Sequence, residues 1–598
     1  MSTLAKLAAR GDNGPPAEVV RGAMQVDAMP PETESTVHAF PFFQAADGWY
    51  YRNPDAGNVR LSGPFDIVAA TRDERSENHG RLLHWTDARG HRHSWACPLS
   101  AFAGDGNEVR ERLLDGGLLL EPSRRARERL AVLIQQHPVS EWIRAVSRTG
   151  WHGDVFVMPD ECIGPAGHER TVYQTHGAGH AFQTAGTLDE WRNAVGRKCS
   201  GNSRLLLALS VAFGGPLLEL LGEQSGGLHL IGVTSTGKST ALYAGGSTWG
   251  GGGPNGFVRN WSTTANGLEA AAELHNDGAL FLDELHSANP KAVVEMVYAL
   301  GNGAGRARMS RSLMARRLAS WRVLFLSTGE LTLEAHAGKA GERVPGGAEI
   351  RLLNVPADAG AGMGLFENLH GAADARTFAD QLRAAALSTY GTAGRAFLRY
   401  LVDHRDEVTE TVRGVCRNFV RVELPDGAAS EVGRACQRFA LIGAAGELAT
   451  EAGVTGWDTG EAIHAAGVCF GAWLATRETP GSIDTERGVA QVRAFLEKHG
   501  ASRFQSVKAF KGDGTPLEER IINRAGFKRA NGEADHADFL ILPGVFRSEV
   551  CAGLDHKAVL AELEKRGFLR RQGPHWTIKT STPEGDLRLH CVRGEILA

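Results

Sequence analysis

The sequence predicts an α/β protein built on a parallel sheet that carries a phosphate-binding loop. A smaller α/β domain precedes the sheet, and a helical block and a small helix-and-hairpin unit follow it. Three stretches carry this reading. Gly232-Val-Thr234-Ser235-Thr236-Gly237-Lys238-Ser239-Thr240 is a glycine-bounded loop between the apolar run 228–231 and Ala241-Leu242, which continues as a helix. Downstream, Gly278-Ala-Leu-Phe-Leu-Asp283-Glu284 runs four apolar residues into two carboxylates. Arg322-Val-Leu-Phe-Leu-Ser327-Thr328-Gly-Glu330 is a second apolar run, ending in hydroxyls. Short apolar runs bounded by turn or polar residues are the pattern of strands buried on both faces, as in parallel sheets.

Composition bounds the rest. A chain of 598 residues exceeds what one hydrophobic core organises. Its 42% hydrophobic and 22% charged residues are ordinary for a globular chain. No apolar run approaches the roughly 20 residues that span a bilayer, so no membrane partner is expected. Residues 1–37 are rich in Ala, Gly and Pro and lack an apolar core; they are expected to be a disordered tail rather than a secretory signal. Eight cysteines without a Cys-x-x-Cys pair fit reduced thiols in a cytoplasmic protein. A net charge of -4 makes no global case for nucleic acid, so any DNA contact must come from local arginine clusters.

Taken in order, residues 38–186 read as an N-terminal α/β domain of short strands, with helices at 108–115 and 123–136. His91, His93 and Cys97 are better explained by strand alternation than by a metal, and Asp160, Glu161, Cys162 and His168 by a polar turn. Residues 187–365 form the nucleotide core. Helical pattern over 187–213 leads to the strand before the loop, and strand, loop and helix in that order are the context a P-loop requires. Its backbone N–H groups and the helix N-terminus make a polyphosphate cradle from Gly232, Thr234, Ser235, Thr236, Gly237, Lys238, Ser239 and Thr240. Lys238 is expected to reach the β- and γ-phosphates of ATP, and Ser239 to hold Mg2+. Asp283, ending a Walker B strand, would join Ser239 on the metal, while Glu284 addresses the attacking water.

The glycine run 249–256 reads as a loop, 257–261 as a strand, 262–274 as a helix capped near Thr263 or Thr264, and 290–300 as an amphipathic helix. Segment 301–320 holds Arg306, Arg308, Arg311, Arg316 and Arg317 without an acidic residue. A solvated basic loop and a DNA-facing hairpin both fit it, the latter because guanidinium groups bind phosphate oxygens in pairs. Ser327 or Thr328 is the candidate γ-phosphate sensor. Arg351 first, and Arg343 second, are candidates for an arginine that reaches a neighbouring subunit's γ-phosphate in a ring; an intrachain salt bridge is the alternative for each. Residues 366–482 are helical in pattern, where the lid of an AAA+ ATPase falls, with Arg434 and Arg438 as candidates for a second sensor. Residues 483–598 read as strand, two helices and a hairpin over 568–578, the order of a winged helix whose Arg570-Arg571 wing meets DNA or whose surface meets protein.

Several of these stretches together resemble one family. Gly150-Trp151-His152 with Phe156-Val-Met-Pro159, the Gly232–Ser239 loop, Leu282-Asp-Glu-Leu285, Gly301-Asn-Gly303, Leu326-Ser-Thr-Gly-Glu330 and Arg351-Leu-Leu-Asn-Val-Pro-Ala357 are similar to the DUF927 proteins of bacterial mobile elements and prophages, over about residues 45–360. Members in staphylococcal cassette elements are AAA+ helicases similar to the minichromosome-maintenance ring helicases. The resemblance implies a homohexamer that uses ATP to move on single-stranded or forked DNA during element replication, alongside element-encoded partners. It also places a pore hairpin at 301–320, where Arg306 and Arg308 stand in place of the family's lysine. Two functions therefore follow: a ring-forming ATP-dependent DNA helicase, or a nucleotide-switched assembly or remodelling ATPase that unwinds nothing.

Overall fold

The computed structural model describes residues 40–53, 57–165, 169–174, 180–251, 256–305, 319–477, 483–507, 521, 523–530 and 537–598. The expected tail 1–37, His168 and the five arginines of 306–317 lie outside the described residues. The chain divides into two compact units, and residues of the expected N-terminal domain fall in both. One unit comprises residues up to 66 with 84–93 and 104–137; the other comprises 67–83, 94–103 and everything from 138 onward.

In the first unit a three-stranded antiparallel sheet, Phe42–Ala45, Gly48–Tyr51 and Val59–Ser62, accompanies helices Asn107–Asp115 and Arg124–Gln136. Ser123 starts the second helix by accepting the Ala126 N–H at 3.2 Å, which satisfies a donor the helix cannot. Trp49 is buried and donates its indole N–H to the Phe65 carbonyl at 2.7 Å.

The second unit is organised by a five-stranded, all-parallel sheet. Its order is Val258–Asn260, Gly278–Asp283, Val323–Gly329, Gly226–Ile231, Leu352–Pro356. Val323–Gly329 thus lies between the strand that feeds the glycine loop and the strand that ends at Asp283. All seven of its residues are buried, as a strand covered on both faces requires. Helix Ser203–Gly214 packs beneath the sheet with every residue buried, which explains why its sequence is apolar on all sides. Helices Ser430–Glu451 and Glu461–Ala475 pack on it closely enough that a Cβ on Gly446 would meet Ser210 Oγ and Ala462 Cβ.

Local expectations are mostly met, with informative exceptions. Thr264 rather than Thr263 caps helix Ala265–Leu274, accepting from Gly267 N at 3.1 Å. Ahead of Leu352–Pro356 the chain makes a short helix, Gly346–Arg351, so Arg351 ends a helix instead of opening a strand. A 17-residue helix, Ile483–His499, opens the C-terminal part and was not read from the sequence. The hairpin is displaced: 568–578 contains only the two-residue strand Leu569–Arg570 and an isolated Gln572–His575 bridge. The paired strands are instead Ile578–Thr582 and Gly585–Val592. They belong to a six-stranded sheet that also contains Phe504–Ser506, Gly526–Arg529 and Asp538–Ile541, more sheet than the expected winged helix.

Candidate functional site: a phosphate cradle at the carboxyl edge of the sheet

Parallel strands present all their C-terminal ends on one edge, which is where ligands of such sheets bind. A cavity of about 760 Å³ opens there, within the roughly 300–1,000 Å³ of small-molecule sites. The loop supplies Thr234, Ser235, Thr236, Gly237, Lys238, Ser239 and Thr240 to its wall, and the neighbouring strands supply Asp283, Glu284 and Thr328. Gly232 opens the loop and contacts Thr236 and Ala357 instead of the cavity.

The loop is shaped by backbone conformations few residues accept. Gly237 has φ +94 and lies against the Phe366 ring, so a side chain there would be both strained and blocked. Ser235 holds φ +61. Helix Lys238–Gly246 then points its first N–H groups into the cavity wall. Lys238 Nζ donates to the Gly232 and Val233 carbonyls at 2.7 and 2.6 Å, curled into the space its own loop encloses. Burial pulls its pKa below the usual lysine range, while Glu330 and Asp283 draw it back up. A phosphate in the loop would supply the countercharge that these carbonyls only approximate.

Asp283 and Thr328 meet directly, Thr328 donating its hydroxyl hydrogen to Asp283 Oδ1. The Glu284 amide also donates to that oxygen, at 3.1 Å. Oδ2 has no hydrogen-bond partner among the described residues, so with Ser239 on the opposite wall the donor set fits a hard cation such as Mg2+. Glu284 sits at φ +59, unusual for a non-glycine residue, and its Oε2 accepts from Asn260 Nδ2 at 3.1 Å. Asn260 Oδ1 is itself held by Ser262 N and Ser287 Oγ, both at 2.7 Å. Strain of this kind persists only where surrounding bonds enforce it: the Glu284 amide is held by Asp283 Oδ1 and Thr328 Oγ1 and its carbonyl by Ser287 N at 2.9 Å, while Asn260 fixes the carboxylate.

Of the two sensor candidates, only Thr328 reaches the cavity. Ser327 Oγ accepts the Trp261 indole N–H at 2.9 Å and contacts His229 Nδ1 at 2.9 Å, inside the core. His229 Nε2 in turn donates to the Leu331 carbonyl at 3.0 Å, and burial pulls its pKa down to about 4, so the ring is neutral.

Neither Arg351 nor Arg343 lines the cavity. Arg351 is bound to Asn302 and Gly347. Arg343 is exposed and turned toward the C-terminal part, donating to the Ala552 carbonyl at 3.4 Å. The second-sensor candidates fare differently. Arg434 is exposed, and Arg438 is half-buried against Gly226, the first residue of the loop strand, with Nη1 on the Ile350 carbonyl at 2.5 Å. Five residues of strand, at about 3.3 Å each, separate it from the cavity by roughly 17 Å. The cavity instead receives Arg376, Asp380 and Arg383 from helix Ala375–Ser388, Arg383 lying 4.7 Å from the centre of the Tyr243 ring. Their i, i+4, i+7 spacing was visible in the sequence, but not which face of the helix looks inward.

At the opposite edge of the sheet the Gly150-Trp151-His152 stretch is a structural dock. The Trp151 amide donates to Asp277 Oδ2 at 3.0 Å and its indole to the Pro216 carbonyl at 2.9 Å. Gly150, at φ +92, leaves no room for a Cβ against the same carboxylate. Asp160 and Glu161 both pair with the buried Arg395. The wing arginines are also engaged within the chain, Arg570 with Asp538 at 3.6 Å and Arg571 with Glu564 at 2.9 Å.

Comparison with known proteins agrees with this geometry. Residues 42–319 match the family described as "Domain of unknown function (DUF927)". A solved structure described as "SCCmec type IV Cch - active helicase" superposes with a TM-score of 0.69 at 18% identity, covering 94% of this chain and 100% of that one. No curated protein matches the chain. Among the described residues no helix is long and apolar enough to cross a membrane. From the Gly-Trp-His dock to the strand ending at Asp283, the family match takes in both edges of the sheet; this part of the chain is similar to the DUF927 family, and the chain has the fold of that cassette helicase.

Proposed function

We propose that the chain is an AAA+ P-loop ATPase that works as a homohexameric, ATP-dependent DNA helicase or translocase. One observation carries the ATPase reading. Three adjacent strands deliver Lys238 and Ser239, Thr328, and Asp283 with Glu284 to one cavity, and Thr328 comes from the strand between the other two. Lys238 moves from its own carbonyls to the β- and γ-phosphates. Ser239 and the oxygen of Asp283 left without a partner would hold Mg2+, which would supply charge neutralisation for the phosphates. Thr328 senses the γ-phosphate through its bond to Asp283, and Glu284, released from Asn260, orients and deprotonates the attacking water. Arg376 and Arg383 bring the helical lid onto the nucleotide.

Arg376 and Arg383 line the cavity from within the chain and Arg351 and Arg343 do not; the ring reading gives the first two to the lid and Arg351 to the γ-phosphate of a neighbouring subunit. DNA is assigned to the basic stretch containing Arg306, Arg308 and Arg311, and the work to replication of a mobile element or prophage in the cytoplasm, with element-encoded partners. The likeness to a structure described as an active helicase supports that choice. Mixing inactive Lys238→Ala and Arg351→Ala chains should restore ATPase activity, because a ring then contains interfaces with both residues intact. If no ratio restores activity, Arg351 does not act in trans.

The intrachain ion pairs of Arg570 and Arg571 favour a second reading for the C-terminal part: a protein-contact module in a nucleotide-switched remodelling ATPase. Strand separation on a forked duplex with DNA-stimulated ATPase supports the helicase, and ATPase indifferent to DNA supports the remodeller.

A further inference from the structure

Arg351 is held by neutral groups. Its Nε and Nη2 both donate to Asn302 Oδ1, at 3.0 and 2.7 Å, and Nη1 donates to the Gly347 carbonyl at 2.6 Å. The guanidinium carbon lies 4.8 Å from the centre of the Tyr298 ring. Every one of these partners is neutral. Arg322, Arg395, Arg487 and Arg566, by contrast, each sit on a carboxylate. Arg351 makes no ion pair among the described residues, and the nearby Arg438 adds positive potential instead of cancelling it.

Neutral acceptors fix a guanidinium in place without spending its charge on an internal partner. Three of its five N–H groups are used. The two that remain, one on each terminal nitrogen, are left for phosphate oxygens to accept. Tyr298 and Asn302 stand at i and i+4 on helix Val293–Asn302, so one helix face supplies both the ring and the amide oxygen. That helix ends at Gly303, φ +69, where the stem of the 304–320 segment begins: Trp321 N donates to Gly303 O at 2.9 Å and Gly305 N to Ala319 O at 2.8 Å.

We propose that Tyr298 and Asn302 are positioning residues for Arg351, a carboxylate-free clamp that aims the unused pair of N–H groups at a nucleotide phosphate presented by another copy of this chain. The proposal rests on the reading of Arg351 as the arginine acting in trans. It adds which groups orient that arginine and why their neutrality matters: a carboxylate in place of Asn302 would hold the guanidinium equally well but neutralise it.

The test is steady-state ATPase kinetics on the full-length chain, with binding of a fluorescent ATP analogue and thermal unfolding measured in parallel. Asn302→Asp, nearly isosteric, should lower kcat almost as far as Arg351→Ala, with KM for ATP, nucleotide binding and unfolding temperature close to wild type. Asn302→Ala, which loosens the guanidinium without neutralising it, should cost less, about tenfold in kcat. Tyr298→Leu should lower kcat several-fold, and Tyr298→Phe should recover most of that loss by restoring the ring. If Arg351→Ala abolishes turnover while Asn302→Asp and Asn302→Ala turn over like wild type, the clamp is refuted and the in-trans reading survives. Full ATPase in Arg351→Ala removes both. Weaker single-stranded DNA binding by Asn302→Asp, with DNA-free ATPase unchanged, would give the two N–H groups to a DNA phosphate and overturn the proposal.

Discussion

Strand Gly278–Asp283 has an aspartate at each end, and the two carboxylates live differently. Asp277, just before it, is fully buried and accepts from the Trp151 amide, Asn276 Nδ2 and Arg322 Nε, at 3.0, 2.9 and 3.0 Å. Asp283 keeps one oxygen without a partner among the described residues and lines the same open cavity as Lys238. Saturated hydrogen bonding makes a carboxylate a fastener; an unused lone pair next to a cation makes it a ligand. The backbone is unusual at both ends, but in different surroundings: Asp277 holds φ +51 packed against the Gly-Trp-His dock, whereas Ser235 and Glu284 hold φ +61 and +59 beside the cavity.

If that division is right, substitutions at the two ends should separate turnover from stability. The largest effect is expected at Glu284, where Glu284→Gln removes the proposed base and should lower kcat by about 10²–10⁴ while nucleotide binding and unfolding temperature stay near wild type. Next is Asp277→Ala, which leaves the Trp151 amide without its acceptor and takes from Arg322 one of its two carboxylates, and should cost about 3 kcal/mol in denaturant unfolding. The folded fraction should turn over normally. A stable Asp277→Ala chain with collapsed kcat would show that the amino edge takes part in the chemistry and would dissolve the comparison.

A smaller effect belongs to the core between the two ends. Burial holds His229 neutral with its pKa near 4, below the 6.5 of an unfolded histidine. Between those values the unfolded chain binds more protons than the folded one, so this contribution is complete above pH 6.5 and is lost as pH falls toward 4. Linkage sets its size at about 3 kcal/mol. Stability measured against pH should be shallower over that window in His229→Gln than in wild type, and equal slopes would remove His229 as the titrating group.

How much of this was legible in the chain depends on whether a residue acts through its neighbours in sequence or in space. The loop 232–239, Asp283 and the end of Val323–Gly329 were readable because a buried parallel strand announces itself as an apolar run and delivers whatever follows it to the carboxyl edge. Ser327 and Thr328 could not be told apart, since adjacent strand residues point to opposite faces and the sequence does not say which face is the core. Arg376 and Arg383 went unread, and Arg434 and Arg438 were preferred, because helical spacing identifies a face without saying what it meets. The hairpin was set too early because the Gly573-Pro574 turn, bridged at Gln572–His575, looks like a strand-reversing turn, yet the strands that pair flank Pro583-Glu584. Arg570 and Arg571 read as a wing because charge is visible in sequence and its partner is not.

Local chemistry alone committed this chain to a glycine-bounded loop and to strands ending in carboxylate and hydroxyl, for backbone conformation and hydrophobic alternation are properties of consecutive residues. Which hydroxyl faces the cavity, which arginines close over it, and that Arg351 is gripped by an amide and a ring instead of an acid were settled by packing. Those contacts join residues 40 to 200 positions apart, and no periodicity within either segment encodes the meeting.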